Sequence, residues 1–182
     1  VEKLRGVDST AARALELLIL TGCRTGEVRN AQWSHFDLDK CLWIIPAELT
    51  KTGKKTGLDH TIPVSEQAMR LLRLLPRTGD YVFPGRDAER IRDKAMGEVL
   101  KALTSNGETP HGFRSSFSDW AHDKTTFDHE TIEHSLNHRI PDKVALAYRR
   151  GTGLEKRTRL MQVWADYCDV WAVAHNVTKL HA

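Results

Sequence analysis

Residues 109–120 read TPHGFRSSFSDW. Thr109 is a favoured helix N-cap and Pro110 suits the first helical position, so the stretch predicts a helix start. Inside it, HGFR sets His111 and Arg114 three residues apart, a spacing that places both on one helix face. A helix N-terminus attracts anions in its own right, because its first N–H groups have no intrahelical partner. The four residues therefore fit an anion site. They fit equally a capped surface helix with an incidental polar pair, and the rest of the chain has to decide between the two.

With 182 residues, 40% of them apolar and 28% charged, the chain is long enough for one domain with a real core and too apolar to stay disordered. Its net charge of +3 leans slightly towards a polyanionic partner, so what matters is where the charge clusters. Cys23, Cys41 and Cys168 are odd in number and widely spaced. That pattern fits neither a disulfide framework nor a zinc site, and points to a reducing, cytoplasmic setting. The apolar stretch from Ala11 to Leu20 is broken by Arg13 and Glu16, so no membrane span is expected, and no signal peptide is evident. The opening VEKLRGVDS reads as the end of a linker, so residues 1–182 are expected to form one domain whose N-terminal partner is absent.

DSTAARALELLILTG predicts a helix capped by Asp8 or Ser9 and stopped by Gly22. CRTGEVRNAQW reads as a turn into a second helix. CLWIIP and HTIPV read as strands, separated by ELTKTGKKTGLD, a lysine-rich exposed hairpin loop. SEQAMRLLRLL is an amphipathic helix capped by Ser65, and YVFP a short extended piece. Further helices are expected over residues 87–103, 128–136, 141–148 and 154–171, the last burying Leu154, Leu160, Met161, Trp164 and Cys168. The expected fold is mostly α, with a small antiparallel β-sheet in the N-terminal third.

Three more pieces stand beside HGFR. TGCRTGE holds Arg24 in a turn between Gly22 and Gly26, with Glu27 placed to brace the corner. The hairpin carries Lys51, Lys54 and Lys55, which fit a solvated tip or an ammonium that reaches into a groove. LNHRIPDKVALAYRRGTG supplies His138 and then Tyr148, followed by Arg149 and Arg150, a setting that favours a phenolate or a neighbouring phosphate.

In order these pieces list Arg, Lys, His, Arg, His and Tyr, and with them the chain resembles the catalytic domain of tyrosine recombinases, the phage-integrase family of prophages and genomic islands. TGCRTGE is similar to the family's first arginine box, and WIIPAELTKTGKKTGLDHTIPVS to its strand, lysine hairpin and strand. HGFR resembles the His-x-x-Arg box, LNH the Leu-x-His box, and AYRRGTGLEKRTRLMQVWADY the nucleophile helix and tail. The resemblance covers nearly the whole chain. It implies that Arg24 and Arg114 bind the scissile phosphate, that His111 and His138 assist, and that Tyr148 is the nucleophile. Lys51 is the best match for the hairpin lysine, five residues after Pro46; His134 is the other candidate for the second histidine. Lys54, Lys55, Arg149 and Arg150 are expected to contact DNA.

The reaction so implied exchanges phosphodiesters. Tyr148 attacks a DNA phosphate, giving a 3′-phosphotyrosyl link and a free 5′-hydroxyl, and a hydroxyl from another strand reverses the step. The bond energy stays in the protein link, so no cofactor is expected. Tyrosine ordinarily titrates near pH ~10, so its proton needs an acceptor, for which His111 is the candidate. Lys51 is the candidate acid for the leaving oxygen. The implied partners are duplex attachment-site DNA, three further copies of the chain in a tetramer on DNA, and accessory DNA-bending proteins.

Three rivals remain. The pair His134 and His138, four residues apart, invites a metal-dependent phosphodiesterase, but no HExxH motif and no convergent carboxylate accompanies it. A DNA-binding module with an inactive site is disfavoured because all six positions hold competent residues. A type IB topoisomerase uses related chemistry, but the second histidine and the integrase-like tail favour recombination.

Overall fold

The computed structural model describes residues 1–138 and 153–177. Within them the chain order is α1 (Glu2–Arg5), α2 (Thr10–Thr21), α3 (Thr25–Arg29), β1 (Phe36–Asp37), β2 (Leu42–Ile45), α4 (Gly53–Thr56), β3 (His60–Pro63), α5 (Glu66–Leu74), α6 (Ala95–Leu103), α7 (Gly112–Lys124), α8 (His129–Ser135) and α9 (Leu154–Val177).

Helix α2 is the axis of the core. Leu15, Leu17, Leu18 and Leu20 are shut away from solvent, and α1, α5, α6, α7 and α9 all pack against it. Ser9 caps it, its Oγ accepting the Ala12 N–H at 3.1 Å, and Gly22 ends it at φ 62°. The buried carboxylate of Glu16 is matched by Arg5 at 2.6 Å and Arg13 at 3.2 Å, which makes a charge tolerable on so apolar a helix. Trp164 of α9 donates its indole N–H to the Ile19 carbonyl at 2.7 Å and packs among Phe117, Trp120 and Tyr167. Leu160 and Met161 are buried as their spacing predicts, while Leu154 and Cys168 are only half-buried.

The expected sheet is present with a third strand, in antiparallel order β1-β2-β3. Trp43 pairs with Ile62 and Ile45 with His60, so alternation turns Trp43, Ile45, Ile62 and His60 towards the core. Phe36 stacks on Trp43 at 5.1 Å.

Two expectations need correction. The segment between β2 and β3 is no open loop: a single 3-10 turn (Ala47–Leu49) leads to the short helix α4. Thr50 is fully buried there, its Oγ1 accepts the Gly53 N–H at 2.8 Å, and a Cβ on Gly53 would lie 2.5 Å from the Ala47 carbonyl oxygen. Glycine alone permits that approach, so the loop folds on itself. The helix expected over 87–103 starts only at Ala95. Residues 86–91 instead fold back through a bridge between Pro84 and Arg90, where Gly85 lies against the Arg90 backbone. Of the helical segments expected beyond α8, 141–148 lies outside the described residues.

Candidate active site

Gly22 turns the chain out of α2, and Arg24, in extended backbone, caps α3. Glu27 braces the corner as expected. It is buried; its Oε2 accepts the Arg24 N–H at 2.7 Å and its Oε1 pairs with the guanidinium at 2.9 Å. Burial also pushes the neighbouring Cys23 thiol far up, so no thiolate competes there.

The regular helix of the HGFR stretch begins at Gly112, later than Thr109 and Pro110 predict, because residues 110 and 111 form a turn. Thr109 still does the capping, its Oγ1 accepting the Gly112 N–H at 3.1 Å. His111 is exposed and lines, with Thr25 and Lys94, an open groove of about 420 Å³. Arg114 is buried. Its Nη1 donates to the Gly22 carbonyl at 2.7 Å and its Nη2 to the Leu136 carbonyl. These carbonyls end α2 and α8, where unpaired oxygens and the helix dipoles concentrate negative charge. Burial, and then the charge of Arg24, lower the Arg114 pKa to about 10, which leaves the guanidinium protonated at neutral pH. The effect of the Arg24 charge on Arg114 places the two cations in one electrostatic environment.

LNH forms the C-cap of α8. Asn137 sits in the left-handed region at φ 50°, which asparagine tolerates better than most residues. Its N–H donates to the His134 carbonyl at 3.0 Å, and the His138 N–H reaches back to the Glu133 carbonyl at 2.9 Å. This is the double bond pattern of a Schellman cap. It folds His138 back over the helix end, where its Nδ1 lies 2.9 Å from Glu133 Oε2. The same cap presents the Leu136 carbonyl to Arg114.

Lys51, Lys54 and Lys55 are all exposed on the connection between β2 and β3. Thr52, next to Lys51, donates its hydroxyl to the Asn137 carbonyl at 2.7 Å. The lysine segment is thereby tied to the turn that carries His138. Tyr148, Arg149 and Arg150 lie outside the described residues.

Three contributors escaped the sequence reading. His60 opens β3, is buried, and has its pKa lowered to about 3, by burial first and then by Arg157 and Arg114, with a hydrogen bond to the Ser135 backbone working against the shift. Arg157 of α9 is also buried and donates to the Thr61 carbonyl at 2.7 Å. Glu133 positions His138. Strand alternation was the available signal for His60, since it shares a face with Ile62; Arg157 and Glu133 carry no local signal. The pair His134 and His138 gathers no third ligand among the described residues, where the one group of that kind is His122, His129 and Glu133.

The arginine box, the His-x-x-Arg box and the Leu-x-His box thus meet at Arg114. The phage integrase family profile matches residues 4–152. The chain belongs to the phage integrase family. Among its integrase relatives is the integrase of Enterobacteria phage P4, 34% identical over 174 residues, covering 86% of this chain and 40% of that protein. Prophage integrase IntZ of Escherichia coli (strain K12) is 34% identical over 165 residues, covering 86% of this chain and 39% of that protein. The chain thus spans about two fifths of the length of these integrases. In fold it is similar to the integrase from mycobacterium phage Brujita, with a TM-score of 0.65 at 19% identity, covering 88% of this chain and 54% of that one. A lambda integrase tetramer bound to a Holliday junction has a TM-score of 0.55 at 17% identity, covering 76% of this chain and 43% of that one. The tyrosine recombinase catalytic fold expected from the motifs is the fold of this integrase-family chain.

Proposed function

We propose that the chain is the catalytic domain of a site-specific DNA recombinase, acting on duplex attachment sites and working within a larger protein. The observation that carries this reading is the Arg114 clamp. One guanidinium bonds the ends of α2 and α8 and so gathers three sequence boxes that lie far apart in the chain.

Arg24 and Arg114 act on the non-bridging oxygens of the scissile phosphate. A guanidinium carries more donors than the two bonds Arg114 makes to carbonyls, and its planar fork suits a phosphate. Tyr148 Oη attacks phosphorus; the bond to the 5′-oxygen breaks, and the 3′-phosphate passes to the tyrosine. His111 accepts the phenolic proton, Lys51 protonates the leaving 5′-oxygen, and His138, oriented by Glu133, adds a donor as charge builds on the phosphate. A 5′-hydroxyl from another strand then attacks the phosphotyrosyl bond and releases Tyr148, which balances the exchange. Lys54, Lys55, Arg149 and Arg150 grip the flanking backbone. Among the proteins of similar fold is a lambda integrase tetramer bound to a Holliday junction, and that supports a tetramer on DNA here.

The test is to trap the covalent intermediate on a nicked suicide substrate that loses its 5′-hydroxyl fragment. A protein–DNA adduct that forms equally well in EDTA is expected. An adduct absent from the chain, even within the full-length protein, supports an inactive DNA-binding module. Cleavage lost in EDTA and regained with magnesium or zinc supports a metal-dependent phosphodiesterase.

A further inference from the structure

We infer that His122, His129 and Glu133 form a binding site for a divalent transition-metal ion of the zinc, cobalt or nickel class, set against the back of the Leu-x-His turn. His122 lies in the last turn of α7, and His129 and Glu133 lie one turn apart on α8. One ligand atom from each falls within 4.8 Å of the others. The His122 Nε2 and His129 Nδ1 atoms are 3.0 Å apart. Two nitrogens bound at about 2.0–2.1 Å to one tetrahedral ion stand about 3.3 Å apart, so a small opening of the pair admits the metal.

The tautomer of His122 favours this. Its Nδ1 lies 2.8 Å from the Ser118 carbonyl, which can only accept, so Nδ1 carries the proton and Nε2 presents its lone pair to His129. A backbone carbonyl holding the far ring nitrogen is the usual support of a metal-binding histidine. On metal binding, His129 moves its proton from Nδ1 to Nε2, and both lone pairs face the ion. Two imidazoles and a carboxylate suit zinc, nickel or cobalt better than magnesium or calcium.

Glu133 is shared. Its Oε2 lies 2.9 Å from His138 Nδ1, so an ion on this carboxylate competes with His138 for it. Occupancy therefore slows strand cleavage; this part rests on the role proposed for His138.

Zinc is titrated into the untagged chain against a chromophoric chelator, and cobalt is added in parallel for its absorption spectrum. One equivalent is expected, with tetrahedral cobalt bands and no thiolate charge-transfer band. The double variant His122→Gln/His129→Gln, with fold checked by circular dichroism, should bind at least about tenfold more weakly. Unchanged affinity in that variant, no binding by the parent chain, or a thiolate band would overturn the site. In single-turnover cleavage, zinc should slow the parent and leave the double variant unaffected. Zinc bound at the site with an unchanged cleavage rate removes the link to His138 and leaves the site standing. Absence of cleavage in metal-free buffer by parent and variant alike counts against the recombinase reading, and leaves the binding result intact.

Discussion

Thr52 Oγ1 donates to the Asn137 carbonyl at 2.7 Å, and this bond joins the segment carrying Lys51 to the turn carrying His138. Thr52→Val keeps the shape and deletes the donor. It should cost about 1 kcal/mol of stability, the net worth of one such bond. Cleavage should slow while DNA affinity is unchanged, and Thr52→Ser should restore the rate. Single-turnover kinetics on a suicide substrate, paired with a binding titration, measures both. A rate unaffected by Thr52→Val removes the coupling between the two segments.

Arg24 and Arg114 should respond differently to lysine. At either position the point charge cannot reproduce the planar fork, and a rate loss of roughly 10²- to 10³-fold is expected, with a smaller loss in DNA binding. Arg114→Lys should in addition lower stability by about 1–3 kcal/mol, because a carbonyl at the end of α2 or α8 loses its buried partner. Arg24→Lys should spare stability, since the bond from its backbone N–H to Glu27 remains. Denaturant melts and cleavage rates on both variants test the contrast; equal stability losses would contradict it.

Acid should weaken the fold through His60. Its ordinary pKa of 6.5 falls to about 3 in the folded protein. Between these values the unfolded chain binds a proton that the folded chain refuses. The stability present above about pH 6.5 is therefore lost as pH drops, by up to about 1.4 kcal/mol per unit from this group. His60→Gln should flatten that part of the profile, whatever it does to stability at neutral pH. Denaturation midpoints between pH 7 and pH 4, read as the difference between parent and variant, give the answer.

DNA binding by the chain should be steeply salt-sensitive and weakly sequence-specific. Lys51, Lys54 and Lys55 are exposed on one segment, and each phosphate they neutralise releases counterions. Replacing Lys54 and Lys55 by glutamine should shallow the plot of affinity against salt. A flat plot for the parent chain excludes the grip on the flanking backbone proposed for these lysines.

Tyr148→Phe removes the nucleophilic oxygen and keeps the ring. The covalent adduct should vanish, with fold and DNA affinity little changed. Tyr81 and Tyr167 should not replace it, since neither stands in the AYRRG context. An adduct that persists in the phenylalanine variant assigns the nucleophile elsewhere.

Local chemistry was enough for much of this. A run of leucines between Ser9 and Gly22 determines a buried helix with defined ends, because caps and left-handed stops depend on adjacent residues. The β-branched and aromatic run ended by Pro46 and the extended HTIPV determine the strands, and the ordered boxes determine the family. Where the reading fell short, close backbone approaches and contacts distant in sequence were responsible. The lysine segment carries loop composition, yet Gly53 against Ala47 folds it into a turn and a short helix. HGFR names an arginine but not its partners: the carbonyls of Gly22 and Leu136 lie 92 and 22 residues away. His60 among arginines, and Glu133 between His138 and the pair His122 and His129, likewise come from elements that meet only when α7, α8, α9 and β3 pack together. A residue type and its neighbours encode what a side chain can do; which charges surround it is decided by tertiary packing, because burial and Coulomb interactions depend on distance in space and not along the chain.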